Sequence, residues 1–160
     1  MFDQLISIVT LCGAIGSGLV AGLMFTFSSF MMTVLGRLPA AQGIATMQSI
    51  NVAILNPAFG LLFFGTTAST LLVAVTAPFT TELPGAGWRL AGGLLFVIGA
   101  FLVTMLANVP LNNALDKVDP ASATGAKVWK RYLATWTAWN HVRTLTAGGA
   151  ATTLTIAVQW

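Results

Sequence analysis

Charge is missing from four long stretches of this chain: Gln4 to Gly36, Leu38 to Thr81, Leu90 to Leu115, and Thr144 to Trp160. About 20 apolar residues are enough for a helix to cross the hydrocarbon of a bilayer. Trimmed at turn signals, the intervals predict spans near 5–34, 56–77, 89–109 and 139–159. Composition agrees, because 7% charged residues falls far below the roughly 25% of soluble domains. The expected fold class is all-α: a four-helix transmembrane bundle forming a single integral membrane domain over residues 1–160. The longest polar stretch, about 110 to 128, reads as a loop.

The first interval reads as a retained helix. It lacks the basic n-region of a signal peptide, having only Asp3, and its apolar run exceeds the usual h-region. Cys12 lies inside it, forms no intramolecular disulfide and is expected to pack in the core. With four spans, Arg37, Lys117, Lys127, Lys130, Arg131 and the boundary residue Arg143 share one side, and only Arg89 lies on the other. The positive-inside rule then places both termini outside and loops 1–2 and 3–4 in the cytoplasm, as expected of a bacterial inner-membrane protein. This asymmetry accounts for the net charge of +3, so no nucleic-acid partner is expected.

Ala14, Gly18 and Gly22 form a small-residue stripe on the first helix that invites close approach of another, with Gly92, Gly93, Gly99, Ala100 and the run Ala147 to Ala151 as counterparts. Asn56-Pro57 admits two readings. Pro57 kinks a long helix, or Asn56 caps a new helix whose first residue is Pro57. The second is preferred, and it makes Ala40 to Leu55 a short separate segment between helices 1 and 2, lying on or dipping into the cytoplasmic membrane interface.

Only 17 uncharged residues follow Arg143, so a full crossing by the last helix must begin near Trp139 or Asn140. Asn140, His141 and Arg143 then stand at or inside the bilayer edge, where ionisable groups are costly and suggest function. Topology brings Gln48, Asn51, Asn108, Asn112, Asn140, His141 and Arg143 to the cytoplasmic end, with Pro110 stopping the third helix between two of them. Trp129, Tyr132, Trp136, then Trp139 or Asn140, and Arg143 fall on one helical stripe, and His141 lies off it. A carboxamide-rich, aromatic-lined pocket is expected there. The same tryptophans beside Lys130 and Arg131 also fit an interfacial aromatic belt. Only Trp88, Arg89 and Trp160 mark the other end.

No CxxC, HExxH or Gly-rich phosphate loop occurs, and Asp3, Glu82, Asp116 and Asp119 all lie in loops or at a terminus. No metal site and no cofactor are expected.

MQSIN at 47–51, NVPLNNAL at 108–115, Trp129, Tyr132 and WTAWNHVRT at 136–144 resemble the anthrone oxygenase family of small four-helix membrane proteins. The likeness runs over nearly the whole chain, and NxPLN and WNxxR are its most specific parts. It implies oxidation of an anthrone to an anthraquinone without metal or flavin. Such chemistry needs a base, donors for an oxyanion and a dry aromatic slot. His141 is the expected base, and Asn140, Asn108, Asn51 and Arg143 stabilise the enolate. Tyr132, Trp136 and Trp139 stack on the rings, with Gln48 and Asn112 also binding substrate. The alternative is a non-catalytic membrane subunit or module that holds a quinone or lipid, in a homo-oligomer or larger complex.

Overall fold

A computed structural model describes residues 2–159; Trp160 lies outside them. The elements are helical throughout: α1 (Phe2–Arg37), α2 (Ala40–Ala53), α3 (Pro57–Phe79), α4 (Ala86–Asp116) and α5 (Ala123–Val158). α1, α3 and α4 are long and apolar enough to cross a membrane, which makes the chain an integral membrane protein. α5 is just as long as α1, at 36 residues, but its sequence is rich in threonine and basic residues.

α1, α4 and α5 each form one column of a bundle, and α2 and α3 together form the fourth, broken at Ile54 to Asn56. One carboxamide holds both sides of the break. Asn56 accepts from the Phe59 N–H at 3.0 Å, capping α3, and donates to the Ala53 carbonyl at 3.0 Å, closing α2. Pro57 follows at the first helical position, where a missing N–H costs nothing. The capped-helix reading of Asn56-Pro57 therefore describes the structure, and α2 is the separate segment expected.

α2 does more than lie at an interface. Its buried Ile44 and Met47 pack with Leu115 of α4 and with Trp129, Tyr132 and Trp136 of α5. Gly43 permits this approach, since a Cβ there would come within 2.8 Å of the Trp129 ring. The columns of α1 and α3 meet where Gly13 and Gly16 face Thr70 and Thr66. This corrects the expected stripe. Gly18 and Gly22 are exposed, and α1 buries the neighbouring face through Gly13, Ala14, Ser17 and Val20. Cys12 is likewise exposed instead of packed in the core. The α4 glycines do serve close packing: Gly93 faces Ala74 and the Thr70 carbonyl, and Gly99 faces Thr146.

Two further boundaries differ from expectation. α4 continues through Pro110 to Asp116, because Pro110 falls in the first turn of the α-helical segment that follows the π-helical stretch Thr104–Asn108. α5 starts at Ala123, not at Trp139 or Asn140. Its cap is Ser122, whose hydroxyl accepts from Gly125 N–H at 2.9 Å and donates to the Asp119 carbonyl at 2.7 Å. The polar stretch is thereby absorbed into helix, leaving residues 117–122 as the link between α4 and α5.

Candidate functional site

The break in the fourth column opens a cavity of about 110 Å³. Its walls are mostly apolar: Leu23, Met24 and Phe27 of α1, Met47 and Ile50 of α2, Ile54 and Leu55 of the break, Phe59 of α3 and Val109 of α4. The polar lining is Asn51, Thr104, Asn112, Asn140 and Arg143, with Trp136 beside them. Leu55 is 80% exposed, so the cavity reaches the outer surface of the bundle at the break. Two π-helical stretches pass the site, Phe27–Met31 in α1 and Thr104–Asn108 in α4. Such widened turns recur at functional sites.

α5 supplies the site's spine. Helical periodicity puts Trp129, Tyr132, Trp136, Asn140 and Arg143 on its buried face. Trp129 stacks on Tyr132 at 5.6 Å, and Tyr132 on Trp136 at 5.7 Å. The Arg143 guanidinium lies 5.1 Å above the Trp136 ring, and Phe27 meets that ring edge-on. The Tyr132 hydroxyl donates to Asn112 Oδ1 at 2.8 Å.

Arg143 is 4% exposed. It donates to Asn140 Oδ1 at 2.6 Å and to Thr104 Oγ1 at 3.2 Å, while its Nε has no protein partner. Neither of those partners is a carboxylate, and Asp3, Glu82, Asp116 and Asp119 are all exposed. A buried guanidinium without a counter-charge is costly unless something compensates it. Asn140 is fully committed: its amide N–H groups go to the Met24 carbonyl at 2.8 Å and to Ser28 Oγ at 2.7 Å, and its oxygen accepts from Arg143. It ties α1 to α5 and aims the arginine, with no donor left for a ligand.

Of the residues singled out from sequence, Asn51, Asn112, Trp136, Asn140 and Arg143 therefore line one cavity, and Tyr132 stands directly behind it. Asn108 is buried against α5, donating to the Trp136 carbonyl at 3.2 Å, and does not line the cavity. Gln48 reaches the Leu115 and Val118 carbonyls at 2.9 and 3.1 Å, closing the end of α4. Trp139 and His141 are exposed. His141 faces a shallow outer recess with Phe25, Ser28, Ser29, Thr144 and Leu145. Ser28 and Thr144, hydrogen-bonded at 3.0 Å, separate that recess from Asn140. Sequence reasoning missed Thr104 and Ser28. Thr104 stands four residues before Asn108, a spacing that could have flagged it. Ser28 carries no such signal, since its partner is 112 positions away.

Fold and site together define a helical membrane protein with a cationic, aromatic-walled cleft. The anthrone oxygenase family profile matches residues 55–153, and the chain belongs to that family. The match begins at Leu55, so MQSIN and the whole of α1 and α2 fall before it. No curated protein and no solved structure matches the chain. Among the described residues no group of three or more His, Cys, Asp or Glu side chains could hold a metal ion.

Proposed function

We propose that the protein is a cofactor-independent membrane oxygenase acting on an apolar phenolic aromatic in the cleft between α2 and α3. The observation that carries this reading is Arg143: a buried cation, without a carboxylate partner, standing over an aromatic face at the end of an apolar cavity. Family membership supports the reaction type. In that reaction a methylene carbon between two aryl rings loses a proton, and the resulting enolate passes one electron to O2. Recombination forms a carbon–oxygen bond, and loss of water leaves the ketone, so one oxygen atom enters the product and the other leaves as water. Arg143 stabilises negative charge as it develops on the enolate oxygen, in a site of low dielectric where such an interaction counts most. With His141 facing the outer recess, the proton is assigned to water at the mouth.

Volume constrains the substrate's pose. About 110 Å³ is less than the ~150 Å³ of a cavity that holds benzene, so a polycycle inserts its oxygenated edge and leaves its remaining rings at Ile54, Leu55 and Phe59. Those rings then lie toward lipid, which also dissolves O2.

The same reading takes α5 as a fourth crossing. Its low hydropathy comes mainly from the cations, Asn140 and His141 of the first part of the helix. Beyond Arg143 its polar side chains are threonines, and Thr144, Thr146, Thr152, Thr153 and Thr155 each donate to the carbonyl four residues earlier. Their hydroxyls ask nothing of lipid. On the same reading the cleft opens at the cytoplasmic leaflet, which the excess of basic residues in the two loops supports.

Turnover tests the proposal: O2 uptake and quinone absorbance with an anthrone in detergent, measured against Arg143→Gln and against spontaneous oxidation. A rate no faster than the spontaneous one, in protein that still binds the anthrone, would leave a quinone- or lipid-binding module as the function.

A further inference from the structure

We propose that the cleft takes its ligand as a ground-state anion, an ionised phenol or enolate oxygen held by Arg143 with Asn51 and Trp136 beside it, its proton released to water on binding. The inference rests on the aromatic-ligand reading above but goes past it, because stabilising charge that develops during reaction does not require the bound ligand to be charged.

Three lining residues bury a nitrogen without a protein partner: Arg143 Nε, Asn51 Nδ2 and Trp136 Nε1. All three are donors. Acceptors on the same wall are largely taken. Asn112 Oδ1 accepts from Tyr132, Asn140 Oδ1 from Arg143, and Thr104 Oγ1 accepts from Arg143 while donating to the Ala100 carbonyl at 2.7 Å. A neutral phenol must place its own O–H on an acceptor, and of these only Asn51 Oδ1 is without a protein partner among the described residues, whereas a phenolate accepts from all three donors. With three free donors against that one acceptor, the wall suits the anion better.

Charge points the same way. Among the described residues Arg143 is the one ionisable residue lining the cavity: α1, α2, α3 and α4 present none to it, and Tyr132 of α5 lies behind Asn112. Nothing within the site balances the guanidinium, so the ligand's negative charge is the compensation that its burial calls for. An opposite charge at hydrogen-bonding range lowers an acid's pKa by about 1 to 3 units and desolvation raises it, so the phenols ionised near neutral pH are those already more acidic than an unsubstituted one.

A hydroxyanthraquinone dye whose neutral and ionised forms differ in colour reads this directly, because it binds without turning over. Titrated with wild-type protein in detergent, its colour midpoint should fall at least about one unit below that in empty micelles, and Arg143→Gln should abolish the fall while Arg143→Lys keeps part of it. A bound dye with an unshifted midpoint on the wild-type protein overturns the proposal, whether or not the variants fold. Anthrone turnover alongside an unshifted dye would sink the anion and spare the oxygenase. A shifted dye without turnover would do the reverse.

Discussion

Two arginines in this protein expose equally little surface, 4% each, and each leaves its Nε without a partner, yet Arg89 sits at shallow depth near one end while Arg143 lies deep in the bundle, and they do different work. Arg89, near the start of α4, donates to the Pro84 carbonyl at 2.9 Å and to the carbonyl and hydroxyl of Thr80 at 3.3 and 3.1 Å. It closes the chain where α3 ends, and it lines none of the cavities described. Arg143 spends its bonds on one carboxamide and one hydroxyl and keeps its charge facing a cleft. Residue type and exposed surface do not separate the two. Depth and partners do: Arg89 bonds carbonyls and a hydroxyl at the end of α3, whereas Arg143 lies deep, bonds only side chains among the described residues and faces a cleft.

The two ends these arginines mark should face opposite sides of the membrane, an all-or-none difference. In a Cys12→Ser background, Ala121→Cys should react with an impermeant thiol reagent only from the cytoplasm and Thr81→Cys only from outside. The reverse pattern would move the cleft to the other leaflet.

Next in size is the arginine pair itself. Arg143→Gln should lower anthrone turnover on the order of 100-fold in protein that still folds, as read by its helical circular dichroism. Arg89→Gln should instead weaken the fold by about 2 kcal/mol, the loss of hydrogen bonds from a charged donor, with turnover per folded molecule intact. Equal losses of activity at both positions would erase the distinction between a cap and a site.

A smaller effect is expected at the mouth. Leu55→Trp should raise KM several-fold for a three-ring substrate and leave the Kd of a single-ring phenol unchanged, because only the larger molecule extends past the break. Smallest of all is His141→Gln, which should leave turnover and the dye midpoint where they are. A large loss there, recovered with added imidazole, would bring the outer recess into the reaction and assign the proton to His141 after all.

What the sequence determined by itself was local. Long charge-free runs specify membrane helices because a bilayer leaves no other way to satisfy the backbone. Asn56-Pro57 favours a break because a capping residue stands before one suited to a helix's first turn. The 3.6-residue period specifies that Trp129, Tyr132, Trp136, then Trp139 or Asn140, and Arg143 share a stripe. Only the tertiary structure decided which stripe turns inward, and with what opposite it. Trp139, Asn140 and His141 are adjacent, yet each step rotates a side chain by about 100° about the helix axis, so Asn140 meets Met24 and Ser28 while its neighbours are exposed. Asn108 and Gln48 carry the same carboxamide chemistry as Asn51, but their amide nitrogens join helices. Those partners lie up to 116 positions away, and such pairings depend on how whole helices rotate and pack against one another, which no local pattern records.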